Sequence, residues 1–363
     1  MSETFEICSA SGNYAITIGV DFITTPRDSL GGEQIKLIDE KVKSLWPRVG
    51  SESAIGIEAL EGNKNLEMVA ALIERLRDGG ANRKTHLYAY GGGIVQDLAT
   101  FIASSYMRGI DWTYCPTTLL GMVDSCVGGK SSLNVGRYKN IAGNFYPPKA
   151  VLIDCNFCQT LSKEERIAGL CEAVKICFAA QGSQFERYLE IANLESDALS
   201  ALQLQSIISL SLRTKKVFIE EDEFDQGIRL LLNFGHTFGH AIEAGTNFAI
   251  THGVAVGLGM LAELEFSKAY FPLHKTPPRI ASLIGYLQKL LLQLPLLKKQ
   301  LSSLSMEDAY ASFMSDKKHD STHYYLILAD ESECLRREAI AKNEHINSLI
   351  KTIFSKLKAG AFL

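Results

Sequence analysis

The sequence predicts an α/β plus α fold. An N-terminal, Rossmann-like domain with a mostly parallel sheet covers residues 1–155, a mainly helical domain covers 156–363, and the active site lies in the cleft between them. Three observations carry this. Strand and helix patterns alternate as far as Asp154; strand signals almost vanish after Leu161; and the strand-like HLYAY (86–90) runs through Gly91-Gly92-Gly93 straight into the helical pattern LATFIASSYMRG. With 363 residues there is enough chain for two full cores.

In order along the chain, YAITIGVDF alternates apolar and polar positions as a half-buried strand does, and 28–32 supply turn chemistry. IKLID is expected to be a buried strand, EKVKSLWPRV a helix stopped near Pro47, and 53–60 another strand. NLEMVAALIERLRD has helical spacing and ends at Gly79-Gly80. Two further strands are expected at 110–116 and 150–154. Ser162, followed by Lys163-Glu164-Glu165, is an N-cap with an acidic first turn, and its helix carries Glu172 and Lys175 three apart. Helical patterns follow over 185–218, 235–244, 253–269, 279–294 and 344–357, interrupted by two short β-like runs, of which 324–329 is the better. No linker rich in Pro, Gly or Ser separates the halves.

Composition narrows the function. A net charge of −4 argues against nonspecific nucleic-acid binding, which needs a basic face, so an anionic ligand would have to be held by a local cluster of cations. The opening MSETFEICSASGNYAIT lacks a basic segment followed by an apolar run, and no apolar stretch reaches eighteen residues. A cytoplasmic location away from the membrane is the expectation. The eight cysteines read as free thiols, and Cys155-x-x-Cys158, without a second pair or a nearby histidine, as two packing side chains.

The chemistry-bearing residues gather between Gly91 and Lys175. A strand, a glycine turn and a helix start leave backbone N–H groups facing one point, which suits a pyrophosphate. Asp97, Thr117, Thr118, Asp124, Lys130, Lys139, Asn140, Glu172 and Lys175 follow. Further on, His236 and His240 in NFGHTFGHAIEA share one helix face at i, i+4, and His252 opens ITHGVAVGLGM. Three histidines within seventeen residues, with the Glu172 carboxylate, suit a divalent metal such as zinc that keeps one position for substrate. The Glu of H-E-x-x-H is missing, so this is not a protease of that type. Spacing alone leaves open which two histidines bind. Arg108, Lys130, Lys139, Lys175, Lys215, Arg229, Lys317 and Lys318 stand beside motif-like residues and could together hold a small polyanion.

GGGIVQD, YMRG, PTTLLGMVDSCVGGK, GRYKNIAGNFYPPKAVLID, GLCEAVK, GIRLLLNFGHTFGHAIEA and THGVAVGLGM together resemble the sugar phosphate cyclases, most closely the 3-dehydroquinate synthase family. The likeness is specific from about 81 to 262 and detectable at Glu61-Gly62-Asn63-Lys64 and Asp316-Lys317-Lys318. It implies NAD at Gly91, Gly92, Gly93, Asp97, Thr117 and Thr118, with Glu61 and Lys64 at the adenosine end and Lys139 lining the nicotinamide pocket. It implies zinc or cobalt on Glu172, His236 and His252, which places His240 on the phosphate side of the substrate. Asp124, Lys130, Lys175, Asn233 and His240 are the implied catalytic positions. Asn140, Lys215, Arg229 and one of Lys317 and Lys318 would bind substrate, and Arg108 would reach the phosphate site of a neighbouring subunit in a homodimer.

The implied reaction turns 3-deoxy-arabino-heptulosonate 7-phosphate into 3-dehydroquinate and phosphate, by oxidation, phosphate elimination, reduction, ring opening and an intramolecular aldol, with NAD regenerated in each cycle. Several positions depart from the pattern: Leu60 for glycine, Val254 for the glutamate after His-Gly, Ser131-Ser132-Leu133 for Thr-Gly-Ile, and Asn144 for alanine. Alternatives are a cyclase of secondary metabolism, such as aminodehydroquinate synthase, a metal-dependent polyol dehydrogenase, and a non-catalytic binding protein on the same scaffold. Arg229 and Lys215 argue against substrates without a carboxylate.

Overall fold

The structure, a computed structural model, describes residues 2–23, 34–50, 54–136, 138–193, 199–271 and 275–363. The turn expected at 28–32 lies outside them. The described strands are β1 (Glu3–Ile7), β2 (Tyr14–Gly19), β3 (Gln34–Asp39), β4 (Ile55–Ile57), β5 (His86–Gly91), β6 (Trp112–Pro116), β7 (Leu133–Val135), β8 (Tyr138–Ala142), β9 (Ala150–Asp154), β10 (His323–Ala329) and β11 (Leu335–Ala341). The α-helices are α1 (Glu40–Leu45), α2 (Leu66–Asp78), α3 (Gly93–Ser105), α4 (Lys163–Ala179), α5 (Gln184–Ile191), α6 (Ala201–Glu221), α7 (His236–Gly245), α8 (His252–Tyr270), α9 (Pro278–Leu291), α10 (Leu297–Ser302), α11 (Met306–Met314) and α12 (Glu344–Lys358). None is long and apolar enough to cross a membrane among the described residues.

The chain forms two compact units, Met1–Leu161 with Leu199–Glu223, and Ser162–Ala198 with Phe224–Leu363. A single cut near 155 therefore differs from the observed division, because α6 returns to the first unit. Apolar periodicity marks a buried helix face but not what covers it. Here Leu204, Ile207, Ile208 and Leu212 of α6 are buried, Ser211 Oγ donates to Val123 O at 3.0 Å, and Lys216 Nζ donates to Glu6 O at 2.8 Å.

The first unit holds a seven-stranded sheet in the order β1-β2-β9-β6-β5-β3-β4. Only the β1–β2 pair is antiparallel; the others run parallel, with Ile16 opposite Val151 and Tyr90 opposite Cys115. Central β6 (WTYCP) is buried along its whole length, as expected of a strand covered on both faces. Asp154, at the end of β9, is fully buried. Its carboxylate accepts from the backbone N–H groups of Asp21, Phe22, Ile23 and Asn156 at 2.9–3.1 Å, anchoring the chain after β2. The β7–β8 hairpin was not foreseen, because most β8 side chains are exposed and no alternation marks it. The strand expected over 53–60 shortens to β4, and the helix over 185–218 resolves into α5 and α6.

In the second unit Ser162 and Glu165 close a capping box that starts α4. α8 has almost no polar face and is a core helix: fourteen of its nineteen residues are buried. Glycines let its neighbours approach. A Cβ on Gly253 would lie 2.3 Å from Ala168 O of α4, and one on Gly259 would lie 2.0 Å from Gly235 O before α7. Thr251 Oγ1 also donates to Glu164 Oε1 at 2.9 Å. These close approaches bring α4, α7 and α8 together, and with them Glu172, His236 and His252.

Candidate functional site

In the first unit the glycine turn forms as expected. Gly91 ends β5, Gly92 is the N-cap of α3 with no side-chain capping bond, and Gly93 opens the helix. A Cβ added at Gly93 would meet no atom within 4 Å. Uncapped N–H groups beside open space fit a bound pyrophosphate. Thr117 is buried, and Thr118 Oγ1 accepts from Gly121 N at 3.1 Å.

Lys64, 7% exposed, ties together several of the residues expected around a cofactor. Its Nζ donates to Asn140 Oδ1 at 2.7 Å and lies 3.2 Å from Asp97 and 3.7 Å from Glu61. Burial pushes the Asp97 carboxyl up to about 6 against the pull of Lys64. Asn140, expected at the substrate, thus joins the Lys64 network, in a left-handed conformation (φ 55°). Lys139 and Arg108 are exposed.

The turn carrying Asp124 is clasped from two sides. Gln96 and Ser125 exchange two hydrogen bonds of 2.6 Å. Lys215 Nζ, on α6, reaches Asp124 Oδ1 at 2.5 Å and Asp124 O at 2.6 Å. Gly128 and Gly129 follow with φ of 99° and 61°, which a side chain resists. Lys130 comes next, its Nζ 5.8 Å from the Phe145 ring centroid. Two of the sequence departures prove to be one network, since Ser131 Oγ hydrogen-bonds Asn144 Oδ1 at 2.6 Å while Asn144 Nδ2 donates to Ser104 Oγ.

The second unit assembles the carboxylate, the histidines and two lysines. Glu172 and Lys175, 1% and 2% exposed, are ion-paired one helical turn apart on α4. His236 Nε2 and His252 Nε2 lie 3.9 and 3.7 Å from Glu172 Oε1. One donor atom from each of these three residues falls within 4.8 Å of the others. Donors on a tetrahedral ion with bonds of about 2.1 Å stand about 3.4 Å apart, so one carboxylate and two imidazoles fit zinc or cobalt with a modest closing movement. A second set, His240, Glu243 and His252, meets the same distance test.

Burial, then the positive charge of Lys175, pushes His236 well below its ordinary range, so it is neutral with a lone pair to offer. His240 is exposed as a residue, yet desolvation of its ring within the cluster, with the charges of His252 and Lys318 adding to the shift, lowers it to about 4. Burial lowers His252 as well, but the Glu243 hydrogen bond and the negative charges of Glu243 and Glu172 outweigh it, and the net shift is upward. Lys318 Nζ pairs with Asp316 Oδ2 at 2.6 Å and acts electrostatically on both His236 and His240, whereas Lys317 is exposed. Arg229 is buried, and Asn233 Nδ2 donates to Leu230 O at 3.1 Å. Val254, in place of the usual glutamate, is buried too.

Sequence reasoning did not reach three positioning residues. Gln96 secures the Asp124 turn; Glu243 Oε2 accepts from His252 Nδ1 at 3.1 Å; and Glu263, fully buried on α8, accepts from Gly235 N at 2.8 Å, just before His236. In the sequence Glu263 reads as one of two carboxylates near the middle of a mostly apolar helix, and nothing there separates it from Glu265.

Residues 54–168 match the model for the 3-dehydroquinate synthase N-terminal region, and 169–319 match that for its C-terminal region. A 3-dehydroquinate synthase of Streptococcus pyogenes serotype M49 is 33% identical over 359 residues, covering 95% of this chain and 97% of the relative. The enzyme of that name from Sulfolobus acidocaldarius is 39% identical over 220 residues, 60% of this chain and 62% of the relative. That from Sulfurisphaera tokodaii is 41% identical over 209 residues, 57% of this chain and 59% of the relative, so the chain spans less than two thirds of these two archaeal relatives.

Among solved structures, 2-deoxy-scyllo-inosose synthase complexed with carbaglucose-6-phosphate, NAD+ and Co2+ superposes with a TM-score of 0.80 at 24% identity, covering 97% of this chain and 99% of the other. ValA (2-epi-5-epi-valiolone synthase) from Streptomyces hygroscopicus, with NAD+ and Zn2+ bound, gives 0.76 at 23% identity, covering 95% and 96%. These two likenesses concern the fold. With both family regions matched and a relative aligned nearly end to end, the chain belongs to the 3-dehydroquinate synthase family.

Proposed function

We propose that the protein is a 3-dehydroquinate synthase, converting 3-deoxy-arabino-heptulosonate 7-phosphate to 3-dehydroquinate and phosphate. The observation that carries this reading is the cluster of Glu172, His236 and His252 beside Lys175 and Lys318, in a chain aligned over 359 residues with a synthase of that name. NAD, held by Gly91–Gly93, Asp97, Thr117 and Thr118 with Glu61, Lys64 and Lys139, would supply reversible hydride acceptance, and a divalent cation on Glu172, His236 and His252 Lewis-acid stabilisation of oxyanion charge.

The chain's own groups hold one substrate through successive steps. Arg229 is buried and permanently charged, and takes the substrate carboxylate. Lys318 and neutral His240 face the phosphate; with its ring uncharged near pH 7, His240 can exchange a proton with the departing group. Lys175, ion-paired with Glu172, offsets negative charge developing on the substrate. Lys215 fixes the Asp124 turn, so that Asp124 and Lys130 meet hydroxyls in a set orientation. The enzyme is expected to be a cytoplasmic homodimer in which Arg108 reaches the phosphate site of the partner subunit.

The test is phosphate release from the heptulosonate by metal-loaded enzyme with catalytic NAD, with absorbance read for NADH. Phosphate without accumulating NADH is the expected outcome. Turnover only of sugar phosphates lacking the carboxylate, or net NADH from a simple alcohol, would overturn the assignment.

A further inference from the structure

We propose that Glu243 is the positioning residue of this metal centre: it holds His252 in the tautomer protonated at Nδ1, aiming Nε2 at Glu172 and His236, and is not itself a ligand. The inference rests on the metal site proposed above and deepens it.

The two candidate donor sets share His252 and differ in what they ask of Glu243, which is a ligand in one and an orienting partner in the other. The hydrogen bonds favour the second role. An ionised carboxylate only accepts, so the 3.1 Å contact between His252 Nδ1 and Glu243 Oε2 puts a proton on Nδ1, and the neutral ring that binds a metal then carries its lone pair on Nε2. His236 repeats the arrangement with a different acceptor: its Nδ1 lies 3.3 Å from the Phe234 carbonyl oxygen, which leaves Nε2 for the metal. Both Nε2 atoms then converge on one oxygen, Glu172 Oε1, at 3.9 and 3.7 Å.

The two rings are secured unequally. His236 is 15% exposed, and the backbone itself provides its acceptor. His252 is 38% exposed at the first position of α8, so a side chain reaching from α7 must fix its ring against solvent. Glu243, 15% exposed and in the last turn of α7, is well placed for that. A carboxylate behind a ligating imidazole also raises its basicity, and losing such a partner costs about 10–100-fold in metal affinity.

The experiment measures zinc and cobalt affinity of the full-length apoprotein by competition with a chromophoric chelator, for wild type, Glu243→Gln, Glu243→Ala and Glu172→Ala. Thermal melting without metal checks that each variant folds. Expected are a loss of about 10–100-fold in Glu243→Ala, a smaller loss in Glu243→Gln, whose amide oxygen still accepts from Nδ1–H, and near-complete loss in Glu172→Ala. The visible spectrum of bound cobalt should shift in Glu243→Ala, a change that a merely structural role would not produce. Affinity within twofold of wild type in Glu243→Ala would overturn the proposal. So would tight binding by Glu172→Ala with none by either Glu243 variant, which moves the metal to His240, Glu243 and His252. Wild type that binds no metal would remove the underlying site, a result distinct from both.

Discussion

Replacing Glu263 by glutamine should make the apoprotein more stable, and increasingly so with rising pH. Glu263 is fully buried on α8, and its Oε2 accepts from Gly235 N. Burial pushes its carboxyl from 4.5 up to about 8, against the pull of the Gly235 hydrogen bond and of Lys318. The folded protein thus holds this proton more tightly than the unfolded chain does. The associated stability is complete below pH 4.5 and is lost as pH rises through 8. The interval is about 3.5 pH units at about 1.4 kcal/mol each, so the loss is about 5 kcal/mol in full, of which about 3 kcal/mol has gone by pH 7. Glutamine copies the protonated acid: it keeps an oxygen for Gly235 N and never ionises. Urea unfolding with chelator present, followed by circular dichroism at pH 4.5, 7 and 9, should show wild type and Glu263→Gln equal at the lowest pH. The variant should lead by about 3 and then about 5 kcal/mol. Parallel pH profiles, or a variant less stable at pH 9, would refute the reasoning.

Gly259→Ala places a methyl 2.0 Å from Gly235 O; it should cost about 3 kcal/mol in urea unfolding and weaken metal binding by displacing His236. Ser162→Ala removes half of the capping box on α4 and should cost about 1 kcal/mol, read in the same titration. Stripping the enzyme with a chelator should abolish phosphate release, and zinc or cobalt should restore it. At a hundredfold excess over its dissociation constant, the metal should also raise unfolding free energy by about 3 kcal/mol.

The site was legible wherever its members lie on one element. Glu172 and Lys175 are three apart and His236 and His240 four apart, so helical spacing alone implies that each pair shares a surface. His252 meets His236 only through close passage of α7 past α8, which depends on glycines whose role is invisible until the neighbouring carbonyl is known. Glu243 reads in the sequence as one more helix carboxylate, since its bond to His252 crosses the turn between two helices. The parallel sheet followed from alternating strand and helix patterns, and β9 and α4 begin where expected. The β7–β8 hairpin did not, because its exposed side chains carry no core-facing period. The motif around Asn140 points to a substrate contact but says nothing of the bond from its carboxamide to Lys64, seventy-six residues upstream.

The return of α6 to the first unit has a consequence for synthesis and for dissection of the gene. Neither unit is one continuous piece of chain. A ribosome that has released residue 161 has delivered the whole sheet but not the helix whose Lys215 and Ser211 clasp the Asp124 turn. The first unit can close only after residue 223 emerges, with part of the second already outside the tunnel. A fragment truncated at 161 would expose the apolar surface that Leu204, Ile207, Ile208 and Leu212 help to shield, and should aggregate. A fragment that joins 1–161 to 199–223 through a short flexible connector would carry the first unit whole.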